Sequence, residues 1–501
     1  MKSQHSLVLL PLLFFIAGIG IDTLFIAGIL MFFVLSYLLL HFSDKVKFSK
    51  DMLGISSWSF FIGILFFFLG KINVELNSTA ENPVTAKIYF DSLNLKITEG
   101  VKFSQRGCWT IAPAFEGDNS FDVLVNMDSV KGASLEKGDT LLLHEVSVLP
   151  LLKQGKEPSG WEQYLLRQGI QYKMYLNNKS HSELKKNQSW WYSFYNLARK
   201  KILLSPLSQK SKPLLLSLLI GDRGYVDQQT KEDYAVLGVS HILSVSGLHV
   251  GIIYLVISWI IGLFLNKRSL PAVAVVLLLI WFYCWMVGFS PPVLRSALMF
   301  SLYVIGKAMG RSSVLLHTTC LSAFMILLIY PLYLYDIGFQ LTYAAMLGII
   351  FIMPVFSERW KVKNFMLKSI SDLVFLSISV QITLLPFLIY YFEYLSVYFI
   401  VANLVIVPAV ALLMYLGIVF VLLPVNPPVN WAIDHLVFFM DCFCDWLCNW
   451  PLTTLPFVVS SLNSWLFYSF SIALMMQYRD YRLNGFLFSG LAALLMALWC
   501  V

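Results

Sequence analysis

A polar segment that leads into an apolar stretch holds the residues best suited to chemistry in this chain. From Gly221 it reads GDRGYVDQQTKEDYAVLGVSHILSVSGLHVGIIY. Polar side chains at membrane depth usually face a bundle interior or a water-filled cavity, where they mark the pathways of substrates and ions. The alternative is that they hydrogen-bond between helices, with Gly247 and Gly251 allowing close packing. The candidate pathway residues are Asp222, Arg223, His241, Ser244, Ser246 and His249.

The two histidines of this segment are also potential metal ligands. His241 and His249 are eight residues apart, which on one helix places them on one face and about 12 Å apart along the axis. That separation is too large for one metal ion unless the helix breaks at Gly247. An intramembrane metal-dependent hydrolase using these histidines and Asp222 therefore stays the enzymatic alternative.

A second set of metal-ligand types lies on the predicted helix Trp431–Trp450. Asp441, Cys444, Cys448 and His435 could surround an ion, but an amphipathic surface helix needs no metal. We expect no metal, no cofactor and no catalytic residue in this chain.

Arg295 lies about one turn inside the predicted helix of the segment SPPVLRSALMF, which Ser290 can cap. An uncompensated arginine at that depth costs at least about 2.5 kcal/mol, so it needs a partner. Asp336, at a similar level, predicts a structural ion pair. The alternative is a passing phosphate, which a guanidinium matches with two hydrogen bonds.

Three uncharged polar residues occur in other apolar stretches. Gln340, Gln381 and Asn403 are further candidates for the pathway lining, although such residues more often join helices to one another.

The composition predicts that membrane-spanning helices hold these residues in place. Hydrophobic residues make up 58% and charged residues 13% of 501 positions, and the mean hydropathy is +0.71. Soluble domains contain about 25% charged residues, so a water-soluble fold is excluded. Apolar stretches long enough to span about 30 Å of hydrocarbon recur along the chain. The predicted spans are Leu7–Ile21, Thr23–Leu40, Met52–Gly70, His241–Leu265, Pro271–Gly288, Pro292–Met309, Ser313–Tyr330, Ile337–Pro354, Ser369–Tyr390, Leu455–Met475 and Phe486–Val501.

Basic loops predict the orientation of these spans. Lys45, Lys47 and Lys50 precede the third span, so the positive-inside rule places their loop in the cytoplasm and the following insert outside. Three later basic loops fall on the inner side by the same parity. The first span is expected to be retained, since no small-residue cleavage site follows it.

The run Ser396–Leu423 is longer than an ordinary span and contains Asn403 and Pro408. Parity requires an even number of crossings between Glu393 and Leu455. The sequence therefore predicts a broken or re-entrant hairpin here, which is a candidate wall of a pathway.

The insert between the third and fourth spans predicts a small Greek-key barrel. Its short strands are separated by Gly, Asn, Asp and Pro. The predicted strands are Val84–Phe90, Gly107–Ala112, Phe121–Val125, Asp139–Leu149 and Gln171–Leu176. Of the seven cysteines only Cys108 lies in the insert, which excludes a disulfide within it.

Basic and aromatic residues are interleaved at the end of the insert. This composition is most often that of a helix lying on a membrane surface, and a nucleic-acid stacking platform shares it. The candidates for DNA capture or membrane-surface contact are Lys185, Lys186, Trp190, Trp191, Arg199, Lys200 and Lys201.

The predicted fold is a polytopic α-helical membrane protein with an extracytoplasmic OB-like β-barrel inserted after the third transmembrane helix. Residues 1–70 form three helices, residues 71–180 the barrel, residues 181–235 amphipathic connecting helices and residues 236–501 a transmembrane channel domain.

The segments together resemble the ComEC family of competence proteins. GVSHILSVSGLHVG is similar to that family's signature, and SPPVLRSALMF, FQLTYAAMLGI and SVQITLLPFL follow it in the family's order. In the insert, GDTLLLHEVSVLP and EPSGWEQYLLRQGI resemble the end of the family's external OB-like domain.

The resemblance implies a channel in the cytoplasmic membrane that carries single-stranded DNA during natural transformation. It also implies a separate DNA receptor outside. Because the chain has no Walker motif, it further implies a separate ATP-driven motor in the cytoplasm. Many members carry a C-terminal metallo-β-lactamase-like domain, whose HxHxDH cluster this sequence lacks. We therefore expect no nuclease activity here and a separate nuclease. A small-molecule transporter is the third class of function left open.

Overall fold

The computed structural model describes residue 70 and, with short gaps, residues 87–456. The predicted spans Leu7–Ile21, Thr23–Leu40 and Phe486–Val501 lie outside the described residues. Of Met52–Gly70 and Leu455–Met475, only Gly70 and residues 455–456 are described. The gaps are 99–100, 105–106, 117–118, 129–134, 136–137, 153–161, 163–164, 167–169, 177–181, 187–189, 267–268, 311–314, 361–363 and 424–425.

The insert folds into a closed β-barrel. Its strands are β1 Ile88–Lys96, β2 Lys102–Ser104, β3 Gly107–Glu116, β4 Asn119–Met127, β5 Thr140–Pro150, β6 Tyr172–Leu176 and β7 Ser182–Lys185. The closed ring runs β1-β3-β4-β6-β5 and returns to β1, with β4 and β6 parallel and the other pairs antiparallel. This closed five-strand ring confirms the predicted OB-like barrel.

Alternating side chains build the barrel core. Along β3, Cys108, Thr110, Ala112 and Ala114 are buried while the residues between them are half-buried. The first strand was predicted to end too early, at Phe90. It runs to Lys96, and Leu93 and Leu95 are buried beyond the predicted end. The sequence missed β2 and β7, which are short and consist largely of polar residues.

The outer face of β3 and β4 is covered by the chain's own segment between β5 and β6. Leu165 and Ile170 are fully buried there together with Leu124, and Trp109 and Ile111 pack against them. In an OB-fold this is the side on which oligonucleotides bind. That side of the barrel is therefore occupied by apolar residues of the same chain.

Three helices connect the barrel to the bundle: α1 Trp190–Leu203, α2 Ser211–Ile220 and α3 Gln228–Val236. In α1, Tyr195, Ala198 and Ile202 face the core, whereas Phe194 and Leu197 are exposed on the other side. α1 therefore has one buried and one exposed apolar face, and its contact with a membrane surface stays a prediction.

The remaining helices form the bundle. They are α4 Gly247–Phe264, α5 Leu270–Val287, α6 Pro291–Ala308, α7 Leu315–Ile329, α8 Ile337–Phe351, α9 Met353–Arg359, α10 Phe365–Phe392, α11 Phe399–Leu422 and α12 Pro427–Cys448. Among the described residues, five helical stretches are long and apolar enough to cross a membrane. These lie in α4, α5, α8 with α9, α10 and α11.

The start of the fourth predicted span was wrong. His241 lies in a separate 3-10 turn, Ser240–Leu243, and α4 begins only at Gly247 after the extended residue Ser246. In the predicted span Ser313–Tyr330, the described helical residues are Leu315–Ile329, and residues 311–314 before them lie outside the described part of the chain. Pro292–Met309 corresponds to α6, which is not among the five stretches because of its polar residues.

The prediction of a broken hairpin at Asn403–Pro408 was also wrong. α11 is one continuous helix of 24 residues with Pro408 inside it. A proline removes one backbone hydrogen bond and costs about 3 kcal/mol. Close packing offsets this cost, since the flanking Ile406, Ala409 and Val410 are buried in a core shared with α1, α2, α3 and α12.

α11 and α12 form an antiparallel pair, and the segments before α11 and after α12 lie side by side. Strand β8, Tyr394–Ser396, precedes α11, and strand β9, Thr454–Pro456, follows α12. The two strands pair with Leu395 opposite Leu455.

Candidate functional site

His249 closes the N-terminal end of α4. The backbone N–H of Ser246 donates to His249 Nδ1 over 3.1 Å, and the Ser246 hydroxyl lies 2.9 Å from the same nitrogen. The Ser246 oxygen in turn accepts from the His249 backbone, which makes a capping box with histidine in the usual place of Glu or Gln. Because Nδ1 accepts a hydrogen bond, the neutral ring carries its proton on Nε2. That Nε2 is buried and has no hydrogen-bond partner within the described part of the chain.

α4 and α6 approach each other closely beside this cap. A Cβ added at Gly247 would lie 2.9 Å from Ser296 Oγ, so a larger residue there would displace the Ser296 hydroxyl. Ser296 is buried, and its hydroxyl donates to the carbonyl of Pro292.

Arg295 is buried between α6 and α8 with 2% of its side chain exposed. Its Nε donates to Thr342 Oγ1 over 3.1 Å, and its Nη1 lies 3.8 Å from Asp336 Oδ1. Asp336 also caps α8 by accepting from the Phe339 N–H. The structure therefore contains the ion pair that one reading of the sequence predicted, at a distance longer than a direct hydrogen bond.

Gln340 extends the polar contacts to α10. Its side-chain nitrogen donates to the Leu334 carbonyl, and its oxygen accepts from the Tyr391 hydroxyl over 2.8 Å. Buried or half-buried polar side chains thus occur on α4, α6, α8 and α10 and at their ends. We call this set the polar track; its members are Ser246, His249, Ser296, Arg295, Asp336, Gln340, Thr342 and Tyr391.

Asp222 and Arg199 form a second buried group, outside the apolar helices. Arg199 Nε donates to Asp222 Oδ2 over 3.3 Å and also bonds the Tyr225 hydroxyl, and Gly224 N–H donates to Asp222 Oδ1. Burial raises the pKa of Asp222 above its ordinary value, although Arg199 opposes the shift. Burial and the nearby carboxylate likewise raise the pKa of Tyr195.

The loop that holds Asp222 lies against two other loops. A Cβ added at Gly221 would be 2.9 Å from Val287 Cγ1 and 3.4 Å from Val245 Cγ2. Gly221 therefore lies against Val245 and against the last residue of α5, Val287. We call the end of the bundle that carries the loops 221–227, 244–246 and 288–290 the three-loop end. Arg223 is exposed on the first of these loops, and His241 is exposed in the turn just before the second.

The other predicted pathway residues lie at separate places. Ser244 donates to the His241 carbonyl beside the α4 cap. Asn403 lies in α11, and its Oδ1 is buried with no hydrogen-bond partner among the described residues. Gln381 is half-buried in α10, ten residues before Tyr391 and so about 15 Å from it along the axis.

The basic residues predicted for capture divide into two groups. Lys185, Lys186 and Lys200 are exposed. Arg199 points inward to Asp222, and Lys201 Nζ donates to the carbonyl of Val421 at the end of α11. Trp190 and Trp191 form the first turn of α1.

Within the described ranges, no group of three or more His, Cys, Asp and Glu side chains could hold a metal ion. Around the predicted set on α12, Asp441 is paired with Lys210 at 2.9 Å, and Cys444 is buried.

Sequence reasoning missed three members of the polar track. Ser296 and Thr342 lie beside residues already singled out, so their positions in the motifs SPPVLRSALMF and FQLTYAAMLGI were the available signal. Tyr391 gave no signal, because one tyrosine in an apolar stretch has no special pattern.

Comparison with known proteins finds relatives for the second half of the chain. A family model described as a competence protein matches residues 218–481, just over half of the 501 residues. ComE operon protein 3 of Bacillus subtilis is 31% identical over 254 residues, which are 50% of this chain and 31% of that protein.

Two further relatives cover similar regions. Recombination protein 2 of Haemophilus influenzae is 26% identical over 237 residues, or 44% of this chain and 30% of that protein. The uncharacterized protein YcaI of Escherichia coli is 28% identical over 207 residues, or 39% and 27%. The matched parts thus span about a third of the length of these relatives. No solved structure matches the chain.

Proposed function

The chain belongs to the competence protein family, as its resemblance to ComEC predicted, and we propose that it is a channel that carries incoming single-stranded DNA across the cytoplasmic membrane during natural transformation. The names of two relatives, a protein of the ComE operon and a recombination protein, support a role in handling DNA. The five apolar stretches support a location within the membrane.

The observation that carries the proposal is the polar track. A polyanion that crosses an apolar layer needs polar or cationic groups along its route, because an unscreened charge in hydrocarbon is costly. The track places a buried guanidinium, a histidine cap and several hydroxyl and amide groups on α4, α6, α8 and α10. Packed apolar helices with no passenger would need few such groups.

The remaining partners belong to the same proposal. The OB-like barrel lies outside the membrane, where the positive-inside rule puts the insert, and the basic inner loops dock an ATP-driven motor. A separate receptor delivers DNA from outside, and a separate nuclease removes the second strand. Because the apolar side chains of Leu165 and Ile170 cover the usual binding side of the barrel, capture of DNA is expected elsewhere.

The enzymatic alternative has no support in the geometry. Among the described residues, no group of three or more His, Cys, Asp and Glu could hold a metal ion. His249 uses Nδ1 in its cap, and Asp222 is held by Arg199.

Uptake in a deletion strain tests the proposal. A strain that lacks this gene is complemented with this chain alone, and internalised single-stranded DNA is measured from labelled double-stranded donor. We expect internalisation to be lost in the deletion strain and restored by the chain. Normal uptake by the deletion strain would contradict the channel and favour a small-molecule transporter.

A further inference from the structure

Arg223 is displayed by a loop that is fixed from within. Its neighbour Asp222 is buried, with the Arg199 guanidinium at 3.3 Å and the Gly224 N–H bonded to the other carboxylate oxygen. Helix α2 ends at Gly221 in the left-handed conformation, with φ of +76°, which turns the chain sharply into this loop. The loop therefore holds Arg223 at the surface of the three-loop end.

Phe289 projects from the neighbouring loop in a strained conformation. Its φ is +52°, a region that residues with a Cβ rarely adopt, and 46% of its surface is exposed. Gly288 already ends α5 in the left-handed conformation, and the rigid Pro291 and Pro292 begin α6 just afterwards. Phe289 is thus a second left-handed residue in this short connection, and the sequence has phenylalanine there where glycine would avoid the strain.

We propose that Phe289 and Arg223 together capture single-stranded DNA at the three-loop end of the bundle, with a base stacked on the Phe289 ring and a phosphate bound by the Arg223 guanidinium. This inference rests on the proposed function and names the site at which the incoming strand first binds. An exposed aromatic ring and a cation displayed at the same end of a bundle are the combination that binds single strands of any sequence, since every base has a π-face and every nucleotide a phosphate.

Burial does not explain the strain at Phe289. A residue in a disfavoured backbone conformation persists only where the surroundings impose it, and such residues occur often at functional sites. Burial of the ring could repay the strain, but nearly half of the side chain is exposed. Contact with lipid headgroups is the competing explanation, and it makes no distinction between DNA with and without bases.

Binding of two oligonucleotides by the purified full chain in detergent tests the proposal. One is a fluorescent oligothymidine of about 16 nucleotides, and the other has the same length but only abasic sites. Phe289→Gly is expected to weaken binding of the oligothymidine about ten-fold and to leave the abasic strand unchanged. Phe289→Trp is the matched control that keeps the stacking surface and should bind like the natural chain.

Arg223→Gln is expected to weaken binding of both strands and to reduce the slope of log affinity against log salt by about 0.7. Because glycine suits φ of +52°, Phe289→Gly should unfold at or above the natural temperature, so lost binding does not reflect misfolding. Equal binding of the two strands by the natural chain, or unchanged oligothymidine binding by Phe289→Gly, would overturn the proposal. The uptake assay separates the two levels: if the natural chain restores uptake and Phe289→Gly restores it equally, only this inference fails.

Discussion

The ion pair between Arg295 and Asp336 gives the sharpest prediction, through the substitution Asp336→Asn. Asparagine caps helices about as well as aspartate, so the hydrogen bond from the Phe339 N–H at 2.8 Å is retained. The substitution therefore removes only the negative charge. Arg295, with 2% of its side chain exposed, then stays buried without its carboxylate.

The expected loss follows from burial and distance. Breaking a buried pair by removing one partner usually costs about 3–5 kcal/mol. Here the two atoms are 3.8 Å apart and 15% of the Asp336 side chain is exposed, so solvent weakens the attraction. We expect Asp336→Asn to lower the free energy of unfolding by about 2–3 kcal/mol. Arg295→Met should cost less, because Asp336 keeps its capping bond and Thr342 keeps its bond to the Gly338 carbonyl.

The double variant Arg295→Met with Asp336→Asn decides between the two roles of Arg295. It leaves no buried charge, so its stability should return to within about 1 kcal/mol of the natural chain. Thermal unfolding of purified protein measures stability, and uptake of labelled DNA measures function. If Arg295 contacts phosphate, the double variant will be stable and inactive, whereas a purely structural pair predicts that uptake returns with stability. An Asp336→Asn variant as stable as the natural chain would refute the electrostatic reasoning.

Three further predictions concern helix contacts and pH. Gly348→Ala normally favours a helix by about 1 kcal/mol, but its Cβ would lie 2.5 Å from the Ser379 carbonyl oxygen, so we expect a loss of about 1–3 kcal/mol in thermal unfolding. Lys201→Met removes the cation that bonds the last carbonyls of α11 and should lower the free energy of unfolding by about 1 kcal/mol in thermal unfolding. Because burial raises the folded-state pKa of Asp222, its ionisation costs stability as pH rises through that pKa, and Asp222→Asn should remove this pH dependence from unfolding measured between acid and neutral pH.

The barrel shows which parts of the fold a sequence can reveal. Alternation of apolar residues and turn residues identified most strands, because each strand carries its own pattern. The order in which strands close the ring depends on pairs far apart in the chain, such as the parallel contact of β4 with β6. The covering of the outer face by Leu165 and Ile170 depends on a segment with weak periodicity, so it could be found only from the structure.

The start of α4 and the continuity of α11 show why other parts of the fold could not be predicted. The cap of α4 uses His249 where the usual signal is Glu or Gln, so the start at Gly247 was not recognised. Pro408 is a helix breaker in isolation, but the buried residues around it hold α11 continuous. In both cases local propensity was outweighed by contacts with other elements that one sequence does not reveal.

The polar residues singled out from the sequence fall into a buried group and an exposed group. Asp222, His249, Arg295 and Gln340 each bond a residue of the same chain, and these bonds fix loops and helix ends in place. Such bonds also join helices to one another. Arg223 is exposed on a loop that Asp222 immobilises, and Phe289 is exposed at the cost of backbone strain. In the proposed channel, the exposed residues at the three-loop end therefore make the first contact with a strand, and the buried polar track lines the route that follows.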